Sequence, residues 1–225
     1  SEIEIIKKRN DDISIITISK INLDVLPSSS GSSIEALLKT EMGVSSGNEL
    51  SSQYNVRGGN YDENLVYVND IEIYRPFLIR SGQQEGLSFL NSDLVSEINF
   101  SAGGFESKYG DKMSSVLDIT YKKPKKFGGS FSASLLGGSA HIEGVGFNKK
   151  LTYIAGIRYK QSKYMLNSLE VEGDYDPKFL DFQTYITYDL SDKIEIAFLG
   201  NIARNNFIFE PTLSKTSFGT LENAL

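Results

Sequence analysis

The chain has 225 residues, enough for one or two domains with their own cores. A net charge of −6 and a pI near 5.0 argue against a general nucleic-acid binder. With no cysteine and one histidine, His141, there is no basis for disulfides, a thiolate or histidine metal site, or a catalytic triad.

Residues 1–125 read as a small mixed α/β domain. DISIITIS (11–18) is β-branched and strand-like, and Pro27 with SSSGSS (28–33) breaks it. A short helix follows, with Ser32 at the N-cap and Glu35 at capping-box spacing. Ile34, Leu37 and Leu38 share one helix face, and Gly43 is placed to end the helix in a left-handed conformation. NLVYVND and IEIY (64–74) form two short strands joined around Asn69-Asp70. SEINFSAG (96–103) and SVLDITYK (115–122) form two more.

The composition changes after KKPKK (122–126), four lysines around a proline that read as a solvated linker. Residues 126–225 then carry long alternating strands, near 129–137, 140–147, 151–163, 181–190 and 194–206. Leu151, Tyr153, Ala155, Ile157 and Tyr159 share one face; Thr152, Ile154, Gly156, Arg158 and Lys160 share the other. Phe182, Ile186, Tyr188 and Leu190 oppose Gln183, Thr187 and Asp189, and Ile194, Ile196, Phe198 and Ile202 oppose Glu195, Ala197, Leu199 and Asn201. Such runs match the roughly 9–11 residues of a tilted membrane strand. No apolar run approaches the roughly 18–20 residues of a membrane helix.

Asn148-Lys149-Lys150 and Ser191-Asp192-Lys193 read as tight turns, with a long polar loop at 161–179 between them. Short turns on one side and long loops on the other suit an outer-membrane barrel; the first connection, placed at Gly137-Gly138-Ser139, is short as well. Charges on a lipid face cost roughly 2–4 kcal/mol at mid-bilayer, and Arg158, Lys160, Glu195 and Asp189 all avoid the aromatic face. Arg204 breaks the pattern near a strand end, where its head can snorkel to the interface. A soluble antiparallel sheet with one wet face alternates in the same way.

Several motifs, in order, resemble the plug domain of TonB-dependent outer-membrane receptors. EIEII (2–6) lies where that family has its TonB box, although its residues depart from the usual pattern. SIEALLKTEMGV (33–44) is similar to the family's helix, with Met42-Gly43-Val44 in place of Pro-Gly-Val. NVRGG (55–59) resembles the Ile-Arg-Gly motif, VYVNDIEIY (66–74) the strand pair, and KYG (108–110) the late Tyr-Gly. SSVLDITYKK (114–123) is similar to the segment that closes the plug, whereas Ser101-Ala102-Gly103-Gly104 replaces an Arg-Gly-Pro.

The resemblance implies a small α/β plug followed by the first antiparallel strands of a transmembrane β-barrel. Five strands do not close around a plug, and plugged barrels run to about 22 strands, so the chain is expected to continue with further hairpins. The implied function is TonB-dependent import of a scarce or bulky nutrient: a metal chelate, cobalamin, a glycan or a peptide. The plug would gate the lumen, in the bacterial outer membrane, with its N-terminus periplasmic. Glu2, Ile3, Glu4, Ile5 and Ile6 become candidate contacts for a TonB-type energy-transducing protein. Arg57, Gly58, Gly59, Asn69, Asp70, Tyr109 and Gly110 become plug-motif positions, with Arg57 expected to pair with barrel carboxylates. Tyr74, Arg75 and Arg80, in the loop after the strand pair, become candidate substrate contacts. Outer-membrane lipid and a surface lipoprotein are further implied partners. The departures at 2–6 keep open a second reading, a structural stopper in an outer-membrane complex or adhesin. No cofactor, catalytic residue or metal site is expected, because the carboxylates are scattered and no nucleotide-binding or nucleophile motif occurs.

Overall fold

The β-branched run IITI opens the first of two sheets. The computed structural model describes residues 15–18, 33–47, 52–76, 80–81, 84–85, 88–161, 163, 174–210, 212–216 and 219–223. Among them β1 (Ile15–Ile18), β4 (Asn64–Val68), β5 (Ile71–Glu72), β8 (Val95–Ser101) and β9 (Ser115–Tyr121) form a sheet in the order β1-β8-β9-β4-β5. The β4–β9 pair is parallel and the rest are antiparallel. Its central strands are buried on both sides, which accounts for their continuous apolar runs. Two-stranded ribbons stand beside it: β2 (Val44–Ser45) with β3 (Asn55–Val56), and β6 (Arg80–Ser81) with β7 (Gln84–Glu85).

Helix α1 (Ser33–Leu38) uses good helix formers and buries Ile34, Leu37 and Leu38 on one face, as their spacing requires. Thr40 caps its end, donating from Oγ1 to the Leu37 carbonyl at 2.7 Å. Gly43 is left-handed, at φ +82°, but it serves the following turn rather than the helix end. Ser32 lies outside the described residues. Asn69 and Asp70 both take positive φ, 48° and 64°, the geometry of a type I′ hairpin turn.

The second sheet is β10 (Gly128–Ser134), β11 (Gly137–Gly146), β12 (Leu151–Gln161), β13 (Asp174–Ser191) and β14 (Ile194–Glu210), antiparallel and in chain order. A further hairpin, β15 (Thr212–Thr216) with β16 (Gly219–Asn223), adds to the expected strands. Two boundaries also differ from expectation. The first turn lies at Leu135-Leu136, and Gly137 belongs to the strand because its backbone passes hard against the Tyr159 carbonyl, where a Cβ would sit 2.0 Å away. The polar loop is shorter, because Asp174–Phe179 extends as strand against Asn205–Glu210, with Pro177 opposite Phe207.

Burial follows the alternation. Ile154, Gly156, Arg158 and Lys160 are covered on the face toward the first sheet, while Ile157, Tyr159, Phe182, Phe198 and Ile202 are exposed on the other. One hydrophobic core joins α1 and the first sheet, through Leu38, Phe100, Leu117 and Tyr121, to Ile154 and Tyr185 of the second. No helix of the described residues is long and apolar enough to cross a membrane, which says nothing of strands.

Candidate functional site

The segment Ser88–Leu94 links the two sheets. Its fold is local: the Leu90 amide donates to Ser88 Oγ at 3.0 Å, and the Asp93 amide donates to Asn91 Oδ1 at 3.1 Å to cap a 3₁₀ turn at Ser92–Leu94. These bonds leave the carbonyls of residues 88, 89 and 90 available to the second sheet. Gly156 lets the segment come close, since a Cβ there would lie 2.6 Å from Asn91 Nδ2.

Arg158 takes two of those carbonyls. Its Nη1 donates to Leu90 O at 2.6 Å and its Nη2 to Ser88 O at 2.8 Å. Its Nε and Nη2 also donate to Asp181 Oδ2, at 3.0 and 2.5 Å. Asn201 Nδ2 holds the other Asp181 oxygen at 2.5 Å. Gln183 takes the third carbonyl, donating from Nε2 to Phe89 O at 3.1 Å, while its Oε1 accepts from the Tyr121 hydroxyl at 2.7 Å. Arg158 and Asp181 are 7 % and 1 % exposed. A buried charge pair is tolerable only when its remaining hydrogen-bonding capacity is filled, and here the carbonyls of Ser88 and Leu90 fill it.

Glu35 of α1 lies against the same cluster, 1 % exposed. Burial pushes its carboxyl up to about 7, partly offset by a hydrogen bond from Ser88 and by Arg158 and Lys39. Its spacing suits a capping box, but the side chain is turned into the interior.

A second contact corrects the reading of KKPKK as wholly solvated. Lys122 pairs with Glu143 at 3.3 Å beside His141, whose Nδ1 bonds Ser130 Oγ at 2.6 Å. Lys123 pairs with Glu195 at 2.7 Å, which raises the lysine pKa. Lys125 and Lys126 are exposed.

The plug-motif residues shape the first sheet and its turns. Arg57 and Gly58 have φ of 49° and 83°, turning the chain after β3. Gly59 is required by space, since a Cβ would fall 1.9 Å from Ser114 Oγ. The Arg57 guanidinium lies beside Gly103, where a Cβ would sit 3.3 Å from Nη1. No ion pair to Arg57 occurs among the described residues; the arginine bonded to a carboxylate of the second sheet is Arg158. Asn69 Oδ1 accepts from the Tyr121 amide at 2.9 Å, fixing the 69–70 turn to β9. Tyr109 donates to Asp118 Oδ2 at 2.7 Å and packs edge-on against Tyr67. Burial first, and that bond second, raise its phenol pKa. Gly110 has open space around it. Tyr74 and Arg75 are exposed, Tyr74 to 84 %. Arg80 opens β6, and its side chain, like all of residues 2–6, lies outside the described residues. Asp181, Asn201, Gln183 and the 88–90 carbonyls are not singled out by the sequence. Their only signal is polar residues repeating on the non-aromatic face. Among the described residues no cluster of potential metal ligands occurs.

Residues 11–116 match the family model for the TonB-dependent receptor plug domain. That stretch, just under half of the chain, is similar to the plug domain of TonB-dependent receptors. Plug domains of this family belong to transporters rather than enzymes. Solved structures share the fold of plug and following strands together. The siderophore receptor PirA from Acinetobacter baumannii is 17 % identical with a TM-score of 0.63, over 87 % of this chain and 32 % of its own. A G324V mutant of the ferric enterobactin receptor PfeA from Pseudomonas aeruginosa is 16 % identical with a TM-score of 0.61, over 87 % and 33 %. The ferripyoverdine receptor of the Pseudomonas aeruginosa outer membrane is 15 % identical with a TM-score of 0.56, over 94 % and 28 %. The chain spans about a third of the length of these receptors. No curated protein sequence matches it.

Proposed function

We propose that this chain is the plug and first barrel strands of an outer-membrane transporter that imports a scarce or bulky nutrient under TonB-type drive. In this reading residues 1–125 are the plug and 126–225 begin a barrel of about 22 strands, the count expected of plugged barrels. The observation that carries it is the two-faced second sheet: Arg158, held by Asp181, and Gln183 grip the carbonyls of residues 88–90 on one side, while Ile157, Phe182, Phe198 and Ile202 are bare on the other. A polar, plug-facing lumen and an apolar lipid face are what such a wall needs. The N-terminus lies on the periplasmic side, where Glu2–Ile6 are offered to the energy-transducing protein, and Tyr74, Arg75 and Arg80 face substrate.

The structural neighbours are siderophore, ferric enterobactin and ferripyoverdine receptors. A ferric chelate is therefore the first substrate class to test, ahead of cobalamin, a glycan or a peptide. The departure of EIEII from a usual TonB box favours a second reading, in which the plug is a stopper and a surface lipoprotein or adhesin complex is the partner. Deleting residues 1–8 from the full-length protein separates them. An importer loses uptake of a radiolabelled ferric chelate and keeps binding it; a stopper shows no uptake to lose.

A further inference from the structure

Arg204 is the charge that the sequence alternation puts on the bare face, and the fold sets Lys178 and Asp176 on that face as well. On that face of β12, β13 and β14 the register aligns Tyr159, Leu180 and Arg204 in one row, and Gln161, Lys178 and Asn206 in the next. Tyr159, Lys178, Leu180, Arg204 and Asn206 line a cleft of about 320 Å³. Its rim is cross-linked: Tyr159 donates to Gln161, Gln161 donates to Asp176 at 3.0 Å, and Asp176 pairs with Lys178 at 2.8 Å. The cleft is thus lined by two cations, Lys178 and Arg204, of which the lysine is paired with Asp176. No hydrogen bond or ion pair reaches Arg204 among the described residues.

The height of this cleft is set by the rows beneath it. Below come Ile157, Phe182 and Ile202, then Ala155, Thr184 and Gly200, then Tyr153, Ile186 and Phe198, then Leu151, Tyr188 and Ile196, and last Leu190 at the β13 irregularity. From Leu190 to Leu180 the strand rises roughly 33 Å, or about 25 Å along the normal at a tilt near 40°. That is the height of a lipid-facing apolar band. The cleft therefore sits at the upper edge of the band, at the end opposite the tight turns after β11 and β13, where phosphates of the outer leaflet would lie.

Resting on the barrel reading above, we propose that this cleft holds the phosphorylated headgroup of an outer-leaflet lipid. Arg204 and Lys178 take the phosphate, Tyr159 and Asn206 supply polar contacts, and the acyl chains run down over Phe182, Ile202 and Phe198. A guanidinium suits a phosphate because its planar fork makes paired, charge-assisted hydrogen bonds.

The test uses the full-length protein, purified in detergent, stripped of lipid and studied by native mass spectrometry. It is offered lipid A bearing its phosphates and the same lipid with them removed. The wild type is expected to retain the phosphorylated form about tenfold better. Arg204→Gln should abolish most of that preference, and Arg204→Lys should keep part of it. Equal retention of the two lipids, or an undiminished preference in Arg204→Gln, overturns the site. So does displacement of the lipid by millimolar inorganic phosphate, which would make it a free-anion site. A change in gel mobility on boiling, which marks a closed barrel that resists detergent until heated, reads the barrel separately. A wild type with the shift but no lipid preference defeats the lipid site alone, and a wild type without the shift defeats both.

Discussion

Arg158 and Asp181 lie directly opposite each other on β12 and β13, and the arginine reaches past its partner to the plug carbonyls of Ser88 and Leu90. The carboxylate neutralises the charge, and the carbonyls use the donors it leaves over. The plug is thereby held by backbone atoms, whose positions depend on the turn at 88–94 rather than on a particular side chain. Release of this segment then needs either a change in that turn or loss of the pair.

Removing one member of the pair should be costly. Arg158→Met leaves Asp181 buried without its cation and the plug-side carbonyls without their donors, for a loss of roughly 3–5 kcal/mol. Arg158→Met combined with Asp181→Leu should recover much of that loss. Urea midpoints of the detergent-solubilised protein would measure it; a double variant no better than the single would contradict the account.

Glu35 gives a pH dependence whose sign follows from its raised pKa. Its carboxyl moves from an ordinary 4.5 to about 7. Between these values the folded plug holds a proton that the unfolded chain has released, so stability falls as pH rises through the window. Above about 7 both states are ionised and the cost is constant, on the order of 3 kcal/mol. Glu35→Gln should flatten the profile and be the more stable protein near pH 8. A parent protein equally stable at pH 5 and pH 8 would contradict this.

The glycines of the plug motifs separate by cause. Gly59→Ala drives a methyl into Ser114 and should cost about 1–3 kcal/mol, relieved in part by Ser114→Gly. Gly58→Ala meets no atom but must hold a φ of 83°, for about 1 kcal/mol. Gly110→Ala should lie within about 0.5 kcal/mol of the parent. Melting temperatures in one detergent would rank all three, and a neutral Gly59→Ala would remove the steric argument.

Tyr109→Phe removes the bond to Asp118 while keeping the ring against Tyr67. The expected loss is about 0.5–1.5 kcal/mol. Limited proteolysis should show faster cutting within 102–114, the connection that Tyr109 ties back to β9. Cutting at the parent's rate would mean that the ring contact alone holds the loop.

The alternation of 151–160 and 182–190 is legible in the sequence because strand side chains obey a period of two, whatever they pack against. Turn chemistry is legible for the same local reason: Asn69, Asp70 and Asn148 take the left-handed backbone that such residues favour. The order of short motifs points to the plug by itself. What local rules miss is set by neighbours. Gly137 reads as a turn and is a strand residue, because it pairs with Ser134 on one side and Lys160 on the other, where the Tyr159 carbonyl leaves no room for a Cβ. Asp174–Phe179 reads as loop and is strand, because β14 continues opposite and supplies a ladder. The grip of Arg158 and Gln183 on residues 88–90 joins positions 68 to 94 apart in the chain. No periodicity links such positions; only the packing of one sheet against the other brings a buried guanidinium to carbonyls that a distant turn has left unpaired.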